Sequence, residues 1–233
     1  MNEINFLKKQ KLLFQNMHEG MIIDNHKHHD NDPDYSGILL SDIIDNPKKF
    51  SNGKALDFGC GCGRNLKNML DISFNEVNGC DISKSNVDYA VEYTKSFHND
   101  KVVEAFETEG SSIGVERPNH YDFIMSHLVF QHIPNYEIRY QILESIYFSL
   151  KSGGRVCLHF LDMDTYVNPI KKLFLKPKSA TYFENSFELK NCRVENENFL
   201  KQDFLKIGFV DVKIIISKDY FSNQKAYYVK ASK

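Results

Sequence analysis

Short apolar runs alternate with amphipathic stretches through the middle of the chain, the rhythm of a sheet covered by helices on both faces. KALDFG (Lys54 to Gly59) reads as a buried strand ending in glycine, followed by a helix from Arg64 to about Leu70. EVNGCD (Glu76 to Asp81) is the second strand. Ser83 is placed to cap the next helix, in which Val87, Ala90, Val91 and Thr94 recur at helical spacing. KVVEAFE (Lys101 to Glu107) and YDFIMSHL (Tyr121 to Leu128) supply the third and fourth strands. The helix after them sets Ile138, Ile142, Ile146 and Leu150 on one face. Gly153 and Gly154 then break the chain before RVCLHFL (Arg155 to Leu161), the fifth strand.

From Asp162 to about Glu195 the pattern has no clean period and carries Pro169 and Pro177, which marks an insertion. A last helix, roughly Glu197 to Ile207, stops at Gly208, the usual place for a left-handed helix cap. VDVKIIIS (Val210 to Ser217) and QKAYYVKAS (Gln224 to Ser232) are too close for a helical crossover, so they are expected to pair antiparallel. The expected fold is α/β: a seven-stranded, mostly parallel sheet with helices on both faces and a C-terminal antiparallel β-hairpin. Residues 1–53 form an N-terminal helical segment, and residues 54–233 form the main domain with its insertion at about 162–195.

At 233 residues the chain suits one such domain with a small cap. A formal net charge of -2 gives no global field to gather nucleic acid or anionic lipid, so neither is an expected partner. No apolar run approaches a membrane span, and the lysine-bearing N-terminus lacks the apolar core and cleavage site of a signal peptide. The cysteine count is 5, and Cys60, Cys62, Cys80 and Cys157 fall in strands or their turns. Reduced thiols in a cytoplasmic protein fit that placement better than a disulfide framework. Oligomeric state is not legible.

LDFGCGCGRN packs three glycines at alternate positions between a strand and a helix. Such a turn needs backbone conformations that a Cβ strains, and it lets a ligand approach the main chain closely. Asp57 lies inside the motif, where a buried carboxylate is costly without a cationic or hydrogen-bonding partner. Asp81 ends the second strand, from where a carboxylate can take both hydroxyls of a ribose.

With LDFGCGCGRN, VNGCDIS, YDFIMSHLVFQHIP and LKSGGRV in this order and spacing, the chain resembles the class I S-adenosylmethionine-dependent methyltransferases. The resemblance implies a Rossmann-like fold, S-adenosyl-L-methionine as cofactor, and a small-molecule type of methyl transfer. It places the cofactor's amino-acid part against Gly59, Cys60 and Gly61, with Asp57 helping to hold that end. It gives the ribose to Asp81, sets Ile82 against the adenine, and borders the adenine with Thr108, Glu109 and Gly110. Ser126 and His127 lie beneath the methionine part, and the segment before the first strand folds over the cofactor. Two features depart from the commonest family pattern. Cys62 stands where Thr or Ser is frequent, and no Asp-Ala or Asp-Val pair follows the third strand. The thiols are expected to fill the loop, since C-x-C has no second Cys/His pair at zinc spacing.

The resemblance names the methyl donor and leaves the acceptor open. For a hydroxyl acceptor a base is needed, and histidine suits neutral pH. The candidates, in order, are His132, His159 and His127, all near the C-terminal edge of the sheet. DNHKHHDNDPDY (Asp24 to Tyr35) holds three histidines and four aspartates, and is expected to be a solvated connection with no metal. The insertion mixes Lys171, Lys172, Lys176, Lys178 and Arg193 with Tyr166, Phe174, Tyr182, Phe183 and Phe187. Basic groups beside aromatic ones suit a small anionic acceptor, such as a phosphorylated or nucleotide-linked sugar in surface-glycan or conjugate synthesis. A nicotinamide dehydrogenase, a non-catalytic cofactor-binding subunit and an N- or RNA methyltransferase are the competing readings.

Overall fold

The computed structural model describes residues 3–20, 37–72, 74–115, 117–133, 135–161, 181–183, 192–194, 197–218 and 225–233. The sheet is built from β1 (Lys54–Phe58), β2 (Glu76–Asp81), β3 (Val102–Glu107), β4 (Tyr121–Ser126), β5 (Leu150–Leu161), β8 (Val210–Lys218) and β9 (Lys225–Ser232). Their order is β3-β2-β1-β4-β5-β9-β8, with β3 through β5 parallel and β9 antiparallel to both neighbours. The expected seven-stranded, mostly parallel sheet with its closing hairpin is therefore present. Within the insertion, β6 (Thr181–Phe183) and β7 (Cys192–Val194) pair as a separate antiparallel ribbon. The rest of the insertion and the histidine-rich 24–35 segment lie outside the described residues.

The strands between helices are apolar on both faces because both are covered. Successive residues serve opposite layers. Leu56, Phe58 and Ile124 pack with α6 (Tyr136–Ser149) and α7 (Glu197–Ile207), through Ile138, Ile142, Ile146 and Phe204. Ala55, Phe123 and Met125 face the other way. There they meet Leu66 and Met69 of α4 (Arg64–Ile72), Ala90 of α5 (Lys84–Phe97), Ile43 of α2 (Ser41–Asp45) and Phe50 of α3 (Pro47–Phe50). Asp42 of α2 fastens that short helix to the sheet, pairing with Arg155 at 2.8 Å and Lys230 at 3.2 Å.

Local signals set most boundaries. Ser83 caps α5 by accepting the Asn86 amide, and Asn135 caps α6 through Ile138. At the end of α7, the Gly208 amide bonds to Leu205 O and the Phe209 amide to Phe204 O, while the Phe204 and Phe209 rings pack 5.0 Å apart. That is a Schellman ending with its hydrophobic contact. Most strand ends fall within a residue of the sequence reading, and those of β4 and β5 differ by more. β4 stops at Ser126, and Leu128 takes φ 61, a left-handed conformation that turns the chain off the sheet. β5 starts at Leu150, directly after α6, and runs through Gly153 and Gly154. The glycines do not break it; they sit where its register against β4 slips between Tyr121 and Phe123.

Candidate active site

The chain steps outward from β1 to β3, then returns across β1 to β4 and β5. A crevice opens where strand order reverses, at the C-terminal ends of β1 and β4. A cavity of about 320 Å³ occupies that crevice. Its floor and walls come from four strand ends: Gly59 to Cys62 after β1, Asp81 and Ile82 after β2, Thr108 and Gly110 after β3, and His127 to Val129 with Gln131 to Ile133 after β4. Leu7, Gln10 and Phe14 of α1 (Glu3–Asn16), with Met17 just beyond, close it from above.

The glycine loop is held by its backbone. The Gly59 and Cys60 amides both donate to Cys80 O, at 2.7 and 3.0 Å. Gly59 has φ 75, and a Cβ there would fall 2.1 Å from Val129 Cγ2, so only glycine lets the β1 and β4 loops meet. Asp81 is buried and reaches three donors: the Gly61 amide at 3.0 Å, the Ser83 amide at 2.9 Å and Asn86 Nδ2 at 3.3 Å. Burial raises its pKa, and the backbone amides of Ser83 and Gly61 and the Asn86 side chain oppose that rise. At the far end Gly110 has φ 90, and a Cβ there would come within 2.9 Å of both Ile82 Cδ1 and Leu7 Cδ2. Thr108 spends its hydroxyl on Ser112 O at 2.6 Å and receives the Gly110 amide, which shapes this turn.

Asp57 lies beneath the loop, fully buried and off the cavity wall. Among the described residues, no hydrogen bond of good geometry reaches its oxygens. Burial pushes its pKa up to about 7, opposed by the nearby Asn65 amide and Arg64 guanidinium and reinforced by Asp81. Cys60 packs its sulfur over Gly79, where a Cβ would lie 2.7 Å from it, and burial holds its thiol well above the ordinary range. Cys62 is pushed up to about 12 for the same reason, so both thiols stay protonated and unreactive. Among the described residues, no cluster of three or more His, Cys, Asp or Glu side chains is arranged to hold a metal ion.

A family model described as a methyltransferase domain matches residues 35–214, which spans the sheet from β1 into β8 and every strand end around the cavity. The chain belongs to the class I S-adenosylmethionine-dependent methyltransferases. Solved methyltransferases share the fold. Magnesium protoporphyrin IX methyltransferase from Synechocystis, with bound S-adenosylhomocysteine, superposes with a TM-score of 0.64 at 14% identity, covering 96% of this chain and 99% of its own. An S-adenosylmethionine-dependent methyltransferase from Methanosarcina mazei gives 0.62 at 17%, covering 88% and 98%. Phosphoethanolamine N-methyltransferase 2 from Haemonchus contortus gives 0.58 at 16%, covering 79% of this chain and 50% of its own, so this chain spans about half the length of that enzyme. No curated protein matches the chain in sequence.

The methyltransferase's cavity fits its cofactor on this chain's own chemistry. One buried carboxylate, Asp81, stands on the wall, and the Ile82 and Leu7 side chains meet beside Gly110, whose lack of a side chain leaves room between them. Of the residues named from sequence, Gly59, Cys60, Gly61, Asp81, Ile82, Thr108, Gly110, His127 and His132 line the cavity. Asp57, Glu109, Ser126 and His159 do not. Ser126 donates to Phe58 O at 2.8 Å, tying β4 to β1. His159 sits behind His127, ring centroids 4.9 Å apart, and its Nδ1 receives the Leu128 amide at 3.4 Å.

The two histidines on the wall differ. His127 is buried, and burial, then His159 and Arg64, hold its pKa well below the ordinary value, so the ring is neutral near pH 7. His132, on the 3-10 turn Phe130–His132, meets the Phe14 ring edge-on at 5.2 Å and lies 3.1 Å from Gln131 Nε2. An amide nitrogen only donates, so Gln131 donates to His132 Nε2 and orients the ring on the turn.

The sequence reading missed Arg64, Asn65, Gln131 and the α1 residues on the wall. Arg64 had a signal: it is the one guanidinium in the loop motif, directly after the third glycine. The α1 residues were expected only as a segment over the cofactor, because the apolar pattern there is too irregular to single any of them out.

Proposed function

We propose that the protein transfers a methyl group from S-adenosylmethionine to a hydroxyl of a small polar molecule, with His132 as the base. The position of His132 carries this reading: it is on the wall of a roofed cavity, on the turn that follows β4, with its ring oriented by Phe14 and Gln131. Bound S-adenosylmethionine supplies a methyl group already activated by the sulfonium. The chain's part is then to bind, align and take away a proton. Asp81 holds the ribose, Ile82 and Leu7 enclose the adenine, and the loop amides with Arg64 hold the amino-acid end. Asp57 supports that loop from below, and residues 1–53 act as the cap of the cofactor site.

The roof formed by α1 and the cavity's size favour a small acceptor over a polymer, and a net charge of -2 supplies no attraction for nucleic acid. The β6–β7 ribbon lies against β5 and the turn that carries His132, which supports the reading of the insertion as the acceptor wall. Its lysines and aromatics suit a phosphorylated or nucleotide-linked sugar, as used in building surface glycans or conjugates. The test is release of S-adenosylhomocysteine across a panel of sugar phosphates, nucleotide sugars, catechols and phosphorylated amines. A hydroxyl acceptor whose turnover collapses in His132→Ala supports the reading. Turnover of an amine alone, undiminished in His132→Ala, overturns it.

A further inference from the structure

Asn86 is fully buried on the first turn of α5, and its amide joins three elements. Nδ2 donates to Asp81 Oδ1 at 3.3 Å. Oδ1 lies 2.8 Å from His18 Nδ1 and 3.8 Å from the Cys62 sulfur. The chemistry fixes the orientation of this amide. A carboxylate only accepts, so the NH2 group must face Asp81, and the carbonyl oxygen is left to face the two groups that donate. His18 therefore carries its proton on Nδ1, and the Cys62 thiol donates into the same oxygen. Cys62 is the position where the chain departs from the frequent Thr or Ser, and a small S–H donor serves there.

His18 lies two residues beyond α1, the helix that roofs the cavity. That helix is fastened at three other points: Lys11 to Glu107 at 2.5 Å, Leu7 over Gly110, and Phe14 against His132. The His18 ring also meets Tyr89 of α5 edge-on at 5.8 Å. Among these fastenings the His18–Asn86 bond alone runs on, through a single side chain, to the carboxylate on the cavity wall.

We propose that Asn86 is a positioning residue that couples docking of the N-terminal helix to the orientation of Asp81, so that each strengthens the other. The proposal rests on the reading of Asp81 as the ribose ligand. With the helix docked, His18 and Cys62 hold the Asn86 amide in one rotamer, and that rotamer presents Nδ2 to Asp81. A ribose held by Asp81 keeps the carboxylate where Asn86 reaches it, and so favours the docked helix. By linkage the coupling is the same in both directions.

S-adenosylhomocysteine binding to the full chain, measured by calorimetry, tests this, together with hydrogen exchange of the amides of residues 7–17. His18→Ala should weaken binding by about fivefold in the wild-type background and by less than about twofold in Asn86→Ala, because the path is already cut. Adding S-adenosylhomocysteine should slow exchange in α1 of the wild type and slow it clearly less in Asn86→Ala, where only the direct contacts of α1 with the ligand remain. Asn86→Asp, which keeps an oxygen for His18 but sets a second carboxylate on Asp81, should bind at least as weakly as Asn86→Ala. If the Asn86 variants do not fold, the same non-additivity is expected between His18→Ala and Asp81→Asn, neither of which needs a change at Asn86. Additive losses in either cycle, or ligand protection of α1 as large in Asn86→Ala as in the wild type, overturn the proposal. Unchanged affinity in Asp81→Asn overturns instead the assignment of the ribose to Asp81, which separates the two failures.

Discussion

The Gly61 amide donates to Asp81 Oδ2 across 3.0 Å, joining the glycine loop after β1 to the acidic end of β2. Both residues line the cavity, and the parallel register of β1 and β2 sets their separation. The carboxylate is thus oriented by the protein before any ligand arrives. Preorganisation of this kind lowers the cost of binding.

Asp81→Ala should weaken S-adenosylhomocysteine binding by roughly 1.5–3 kcal/mol, the scale for leaving ligand hydroxyls without a charged partner. Calorimetry on the folded variant measures it. Affinity equal to wild type would remove Asp81 from the cofactor site.

Gly110→Ala places a methyl group 2.9 Å from Leu7 Cδ2 and Ile82 Cδ1, at a residue with φ 90. Both neighbours are side-chain ends that can give way, so the fold should persist while the slot between them narrows. A loss of about 1–2 kcal/mol in cofactor affinity is expected, the scale for overpacking. A variant that binds as tightly as wild type would show that the cofactor does not use this slot.

His132→Ala and His159→Ala should part company. Losing a base typically costs roughly two to four powers of ten in turnover, with cofactor affinity nearly unchanged. That profile is expected for His132. His159 is 1% exposed and packs between His127 and Tyr228, so its loss should lower the melting temperature before it lowers turnover. His127→Ala, on the wall but neutral, should weaken cofactor binding along with turnover. The comparison needs turnover, affinity and melting temperature on all three proteins, and a reversed pattern for His132 and His159 exchanges their roles.

Asp57 gives a pH signature. Its pKa in the folded protein, about 7, lies above its ordinary 3.8, so between those values the folded state holds a proton that the unfolded state has released. Its contribution to stability is present in full below about pH 4 and is lost as pH rises through 7. Three units correspond to about 4 kcal/mol as an upper scale. Denaturant unfolding of the ligand-free protein from pH 5 to pH 8 should show the stability of the wild type falling with pH relative to that of Asp57→Asn, while the neutral, buried His127 acts equally on both. Parallel curves for the two proteins would mean that Asp57 does not titrate in this range.

Local chemistry made much of the fold legible. The boundaries of β2, and of α7 with its glycine ending, follow from apolar period and helix-stop signals that act over a few residues. The glycine loop was legible for the same reason, since glycines at alternate positions between a strand and a helix serve few purposes other than a close backbone approach. Gly153 and Gly154 misled, because a glycine pair reads as a break in isolation and as a register slip only when a partner strand is present.

What the sequence by itself determined is the order of strands and helices, the glycine loop, and the carboxylate at the end of β2. Each is written in neighbouring residues, whose backbone preferences and hydrophobic period are local properties. The tertiary structure alone decided which groups share the cavity. It put Asp57 beneath the loop and His159 behind His127, both off the wall, and it brought Leu7, Phe14 and Met17 over the top. It also placed His18 on Asn86, 68 residues away in the chain. Contacts of that range depend on how layers pack, and packing rewards volume and complementary donors wherever the chain brings them, which no local pattern records.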